Sequence, residues 1–309
     1  MLRLEREKTV RRNSKKSNAF TLIELITVLA ILALLMTILA PSLLKARRAA
    51  ISLLSSMNQR EIIASNLCYS TDQDGHFPES VATLGTAARY SWREPTVLTG
   101  FQKRSPAYYR SVSGYLHSYI ETASTLFCPS APSRYEWAEE AWEAGDTWDH
   151  PAPDTAAEDP LFGNYCFYWN YIAYLEDKKT PFIGPHSTTQ RISESKLMIS
   201  DYFGYNHWRN ELTYGSRSAY GSCEKMRQAD ITSGTSVACD FWSVFNSTGD
   251  ITPSSIELCL QAGYVDGHVE KFTPADTMIL KVSMTPDGTV PYPDTVGPAG
   301  TLYIPRSSR

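Results

Sequence analysis

The chain opens on a polar, basic stretch and then changes abruptly: from Phe20 to Ala40 there are 21 residues with a single charge, Glu24. At ~1.5 Å per residue a helix of this length spans roughly 30 Å, one crossing of a bilayer. Pro41 follows. Its missing N–H, and its ring against the Thr37 carbonyl, predict a bend or loosening of the helix there. Beyond it Leu44, Ile51, Leu54 and Met57 recur at three- and seven-residue spacing among Arg47, Arg48, Asn58, Gln59 and Arg60. That pattern predicts an amphipathic helix that runs to about Cys68 and lays this stripe on a following head.

Further along, the periodicity shortens. Asp74-Gly75 and Phe77-Pro78 are a turn and a helix stop on local chemistry alone. Asp72-x-Asp74-Gly75 starts like a calcium loop, but position five of that loop is His76 rather than an oxygen ligand and position twelve is Thr83 rather than Glu, so a plain turn and no metal are expected. Lys196–Asp201 is a buried strand ending in a carboxylate. Gln261–Phe272 is a β-hairpin pattern with a two-residue turn at Asp266-Gly267. From about residue 273 the chain is rich in Pro, Thr and Gly and is expected to be an extended tail. The fold class is therefore α+β: a long N-terminal helix packed on an antiparallel sheet, with irregular insertions between about 85 and 260. The expected divisions are a basic leader (1–19), a helix (20–68) that spans a membrane at 20–40, and a head (69–309).

Charge sharpens this picture. Residues 1–19 carry seven Lys/Arg against Glu5 and Glu7, a local +5 in a chain of net charge −4, so the remaining body carries −9. A basic tip before an apolar run, with an acidic body after it, is what the positive-inside rule expects of a segment left in the cytoplasm. The acidic body argues against a nucleic-acid partner. With 42% hydrophobic and 20% charged residues in 309, the body can bury a core. Six cysteines allow fifteen complete pairings in an oxidising compartment, or serve as buried thiols, and none forms a Cys-x-x-Cys pair.

The order Lys15-Lys16-Ser17-Asn18-Ala19, then Phe20-Thr21-Leu22-Ile23-Glu24-Leu25, then an unbroken apolar helix, resembles the prepilin signature of type IV pilins and type II secretion pseudopilins. The resemblance implies that a membrane-embedded prepilin peptidase and N-methyltransferase cuts between Ala19 and Phe20 and methylates Phe20. The family usually has Gly where this chain has Ala19. Counted from Phe20, Glu24 is the fifth residue and Pro41 the twenty-second, both family positions. An ionised carboxylate in hydrocarbon is costly unless paired. The resemblance implies that Glu24 meets the Phe20 amine of a neighbouring subunit; the alternative is a carboxylate that snorkels to the cytoplasmic interface. The implied partners are other pilin or pseudopilin subunits and the lipid of the bacterial inner membrane. The N-terminus would be cytoplasmic before cleavage, with the head in the periplasm or on an extracellular filament. Tyr69–Pro78 resembles the segment that follows the long helix in major pseudopilins. Cys128-Pro129-Ser130 and Gly163–Asn170 resemble the heads of large prepilin-like families abundant in planctomycete-type bacteria, although Ile256 stands where one subgroup has His.

No enzyme and no cofactor are expected. Asp266 and His268 could be drawn as an acid–base pair, but residues straddling a turn do not automatically point together. Ser193-x-x-Lys196 lacks the companion elements of penicillin-binding enzymes. Glu136–Asp159 holds nine acidic residues with Trp137, Trp142 and Trp148. Aromatics beside carboxylates can stack on sugar rings, so a membrane-anchored adhesin or glycan-binding module is the second class of function. Otherwise these tryptophans pack on the head. Cys223 and Cys239 are the disulfide candidates, because a clamp would restrain the Ser-, Thr- and Gly-rich segment between them.

Overall fold

A computed structural model describes residues 21–82, 95–98, 110–129, 142, 163, 165–177, 179–189, 194–205, 211–214, 242–246, 260–281 and 301–308. Ala19, Phe20, Cys223, Cys239, Trp137, Trp148 and Ser193 lie outside these residues. The chain forms two compact units, Met1–Arg48 and Ala49–Arg309. Helix α1 (Leu22–Asp72, 51 residues) begins in the first and ends in the second. Pro41 sits inside it and does not end it. The helix stops four residues beyond the expected Cys68, in a left-handed cap: Asp74 (φ 51°) and Gly75 (φ 85°) turn the chain. The Gly75 N–H then returns to the Ser70 carbonyl at 2.7 Å, the six-to-one closure of a Schellman motif.

In the first unit every described side chain from Leu22 to Arg47 is exposed, and the helix is long and apolar enough to cross a membrane. A helix that is hydrophobic all round needs lipid or other helices to cover it.

The second unit holds the sheets. Strands β1 (Tyr165–Phe167), β2 (Ile172–Leu175), β3 (Pro181–Ile183), β4 (Leu197–Asp201), β5 (Phe203–Tyr205), β6 (Glu211–Tyr214), β7 (Trp242–Asn246), β8 (Leu260–Tyr264), β9 (Val269–Phe272), β10 (Thr277–Lys281) and β11 (Thr301–Pro305) follow a short helix, α2 (Val112–Leu116). They form a four-stranded sheet, β1-β4-β8-β9, and a seven-stranded sheet, β3-β2-β10-β11-β5-β6-β7, with every pairing antiparallel. The layout is α+β and pilin-like. One apolar cluster joins Ile62 and Ile63 of α1 to Tyr165, Phe167, Met198 and Ile199; a second joins Cys166, Leu197, Leu260 and Ala262 to Phe203, Leu280, Leu302 and Ile304. The alternation of Tyr165 and Phe167 with Cys166 between the two clusters is the period-two signature of a strand buried on both faces. Gly263 of β8 is required to be small, since a Cβ there would stand 2.6 Å from Ile63 Cδ1.

Several expectations are corrected. Of the stripe expected on the head, Leu44, Leu54 (48%) and Met57 (55%) are exposed and Ile51 is half-buried. The head-facing positions of α1 are instead Ser55, Gln59, Ile62, Ile63 and Asn66, all buried. Ser55 and Gln59 can occupy that face because the sheet supplies hydrogen-bond partners for them, while Asn66 Nδ2 donates back to the Ile62 carbonyl of α1 at 2.8 Å. The stretch after 273 is no simple tail, because it contributes β10 and β11, whose Leu280, Leu302 and Ile304 are buried. Between 85 and 260, strands β1 to β7 replace part of the expected irregular insertion. The hairpin turn is one residue longer than expected. Tyr264 N–H donates to the His268 carbonyl at 3.0 Å and Gly267 N–H to the Tyr264 carbonyl at 2.8 Å, so Val265, Asp266 and Gly267 form the loop, with Gly267 at φ 86°. This is a type I turn closed by a left-handed residue, which Asp-Gly serves as well as a two-residue turn.

Candidate functional site

The chemistry-bearing end of α1 begins at Thr21. Its N–H and hydroxyl both donate to Glu24 Oε2, at 2.8 and 2.7 Å, while the Glu24 N–H donates back to Thr21 Oγ1 at 3.3 Å. Thr-x-x-Glu with these reciprocal bonds is a capping box, which satisfies donors that the first helical turn would leave bare. The spacing was present in the sequence, and Thr21 is the residue that motif reading passed over. Deeper in the apolar run, hydroxyls bond back to carbonyls three residues earlier: Thr27 to Glu24 at 3.0 Å, Thr37 to Leu34 at 2.7 Å, Ser42 to Leu39 at 2.8 Å. Each hydroxyl is thereby satisfied without water, as a hydrocarbon surround requires. Glu24 is the one ionisable side chain among them, exposed, and its described partners are those of Thr21 alone.

Residues 14–40 match the family model described as the prokaryotic N-terminal methylation motif. The chain carries a prepilin-type N-terminus. No curated protein and no solved structure matches it. A prepilin-type motif followed by a long apolar helix suggests a membrane-anchored, single-pass protein of the type IV pilin or pseudopilin kind. It implies processing by a prepilin peptidase, and it points to a structural subunit rather than an enzyme.

Behind the prepilin-type segment, α1 meets the head through a polar seam. Gln261 Nε2 donates to the Ser52 carbonyl (2.8 Å) and Oγ (2.7 Å), and Ser56 donates to Gln261 Oε1 at 3.1 Å. Ser55 Oγ pairs with the Tyr165 hydroxyl at 2.9 Å, and Asn58 Nδ2 donates to the Phe127 carbonyl at 3.2 Å. Farther along, Ser65 Oγ donates to the Tyr119 carbonyl at 3.0 Å, and Tyr119 donates to Asp72 Oδ2 at 2.6 Å. Asp72, the first carboxylate of the would-be calcium loop, is thus spent on a tyrosine.

The head segments singled out in the sequence have structural work. Asn170, at φ 52°, donates through Nδ2 to the carbonyls of Phe77 (3.1 Å) and Pro78 (2.7 Å), fastening the chain just after the α1 cap. His186 Nδ1 lies 2.7 Å from Glu194 Oε1. Asp266 and His268 do meet across the turn, and the His268 ring stacks on Tyr264 with centroids 4.5 Å apart. Both are more than half exposed. Trp142 is 1% exposed; its Nε1 donates to the Ile120 carbonyl at 3.3 Å, and its own carbonyl contacts His117 Nε2 at 2.7 Å. Of the three tryptophans proposed for sugar stacking, this one packs on the head.

Proposed function

We propose that the chain is a structural subunit of a type IV pilus-like or type II secretion pseudopilus filament, matured by cleavage between Ala19 and Phe20 and methylation of Phe20. The observation that carries this reading is the methylation motif at 14–40 running straight into a 51-residue helix. Its apolar side chains stay exposed past the 21-residue span, at Leu43, Leu44, Leu53, Leu54 and Met57. Lipid accounts for the first roughly 30 Å of that surface. The remainder calls for other helices, which neighbouring subunits would provide. In this reading Phe20 and Glu24 pair between subunits, Pro41 marks the end of the span, the head lies in the periplasm, and the inner membrane holds the subunit before assembly. The adhesin reading loses Trp142 as a sugar platform and gains no other observation. Mass spectrometry of the native N-terminus tests the proposal. A chain that begins at N-methylated Phe20 is expected, and a mature protein that retains Met1 overturns it.

A further inference from the structure

Where α1 lies against the four-stranded sheet, a carboxyl group is sealed into the contact. Asp201, the last residue of β4, is 4% exposed. Its Oδ2 accepts the Gln261 N–H of β8 at 2.9 Å, its Oδ1 accepts Gln59 Nε2 of α1 at 3.4 Å, and the Cys128 thiol donates to it. The groups facing it are Gln59 from α1, Cys128 from the segment after the 3-10 turn Ala123–Leu126, Tyr165 from β1 and Gln261 from β8, with Ser55 of α1 bonded in turn to Tyr165 and Cys128. Only Cys128 and Tyr165 of these can titrate. Both are buried, and burial, then Cys128, then Asp201 itself, raise the Tyr165 hydroxyl well above its ordinary value. Among the described residues no cation pairs with Asp201. Beside it Gln59 Oε1 is buried without a donor.

We propose that Asp201 is a proton-dependent latch between α1 and the head sheet, closed when the carboxyl is neutral and strained open when it ionises. As an acid the group keeps the Gln261 N–H bond and gains a hydrogen to give. A half-turn of the Gln59 amide would bring Oε1 to that hydrogen, giving up the long Nε2 bond to the Gln261 carbonyl (3.5 Å). As a carboxylate it is a buried charge whose compensation, among the described residues, is three hydrogen bonds and no counter-ion, the arrangement that low dielectric penalises most. Burial accordingly pushes its pKa up to about 7, outweighing the bonds from Gln261, Cys128 and Gln59 that pull it down. The sign follows from linkage. Between the unfolded value near 3.8 and the folded value near 7, the folded chain holds a proton that the unfolded chain has released. Stability therefore falls as pH rises through this window and levels off above it. This inference stands apart from filament assembly, because it concerns the contact of α1 with the head of the same chain.

Thermal unfolding of the full chain in detergent micelles, at about pH 5 and about pH 8, tests it against Asp201→Asn. Asparagine offers an acceptor to the Gln261 N–H and a donor to Gln59 Oε1, and so imitates the neutral acid. The wild-type midpoint is expected to fall by roughly 5–10 °C more than the variant's over this interval, leaving the variant the more stable at about pH 8. Parallel pH dependences overturn the proposal. Should the variant fail to fold, infrared spectra of wild type labelled with carbon-13 aspartate decide the matter. A protonated carboxyl band that persists past about pH 6 and vanishes by about pH 8 is expected. Complete ionisation of every aspartate by about pH 6 overturns it.

Discussion

Gly263 and Ile63 touch where a side chain is missing: a Cβ on Gly263 would stand 2.6 Å from Ile63 Cδ1 and 2.9 Å from Ile199 Cγ2. Gly263→Ala must therefore push α1 from β8 or force both isoleucines off their rotamers, at about 1–3 kcal/mol. Denaturant unfolding of the full chain measures this. Ile63→Val removes the clashing methyl, so the double variant should recover part of the loss, a coupling expected of residues in contact. Strictly additive losses would mean that the close approach costs nothing.

That contact illustrates which parts of the fold the sequence made legible. A run of 21 apolar residues needs no tertiary information to be read as a helix, and Asp266-Gly267 placed the hairpin. Loop length was not readable, because Asp-Gly suits both a two- and a three-residue turn. The buried face of α1 was hidden for a different reason. Ser55, Gln59 and Asn66 look like solvent positions until their surroundings are known, and Gln59 meets Asp201 across 142 residues of chain. Hydrophobic periodicity favoured Leu54 and Met57, which the head does not cover. At the candidate site Glu24 was recognisable within its motif, whereas Thr21 needed the additional reading of Thr-x-x-Glu as a cap. Strands β10 and β11 escaped notice because the Pro- and Gly-rich residues between them dilute the pattern.

The cysteines should separate by reactivity. Cys68 is exposed on α1, while Cys128 and Cys166 are buried. A charged alkylating reagent applied to the native chain should label Cys68 more than about tenfold faster than the buried pair, whose modification must wait for opening of the core. Equal rates would contradict the burial. The proposed Cys223–Cys239 bridge is checked in the same digest, where a linked peptide should appear only under non-reducing conditions. Six alkylatable thiols in exported protein would remove it.

Trp142 offers a test of the adhesin alternative. Its ring is buried and its Nε1 is spent on the Ile120 carbonyl, so Trp142→Ala should cost about 3–5 kcal/mol of stability. Tryptophan fluorescence during denaturant unfolding reports the midpoint. Screening against glycans should reveal no binding that depends on this residue while the variant remains folded. Loss of a glycan signal without loss of stability would revive the sugar-binding reading.

Glu24 is a helix cap in the structure and an inter-subunit partner in the proposal, and three substitutions divide the two roles. In the capping box glutamine serves at the same position as glutamate, so Glu24→Gln keeps the bonds to Thr21 while removing the charge. Thr21→Ala does the reverse, losing a cap worth about 0.5–2 kcal/mol and leaving the carboxylate in place. Glu24→Ala loses both. Each Glu24 substitution takes a charge out of an apolar span, so membrane insertion should become easier. If the carboxylate receives the Phe20 amine of a neighbouring subunit, both Glu24 variants will accumulate as processed subunits with few filaments. Thr21→Ala will still assemble. The readouts are electron microscopy of sheared filaments and immunoblots of the membrane fraction. Normal filaments from Glu24→Gln, with a deficit shared by Thr21→Ala and Glu24→Ala, would leave Glu24 a cap and nothing more.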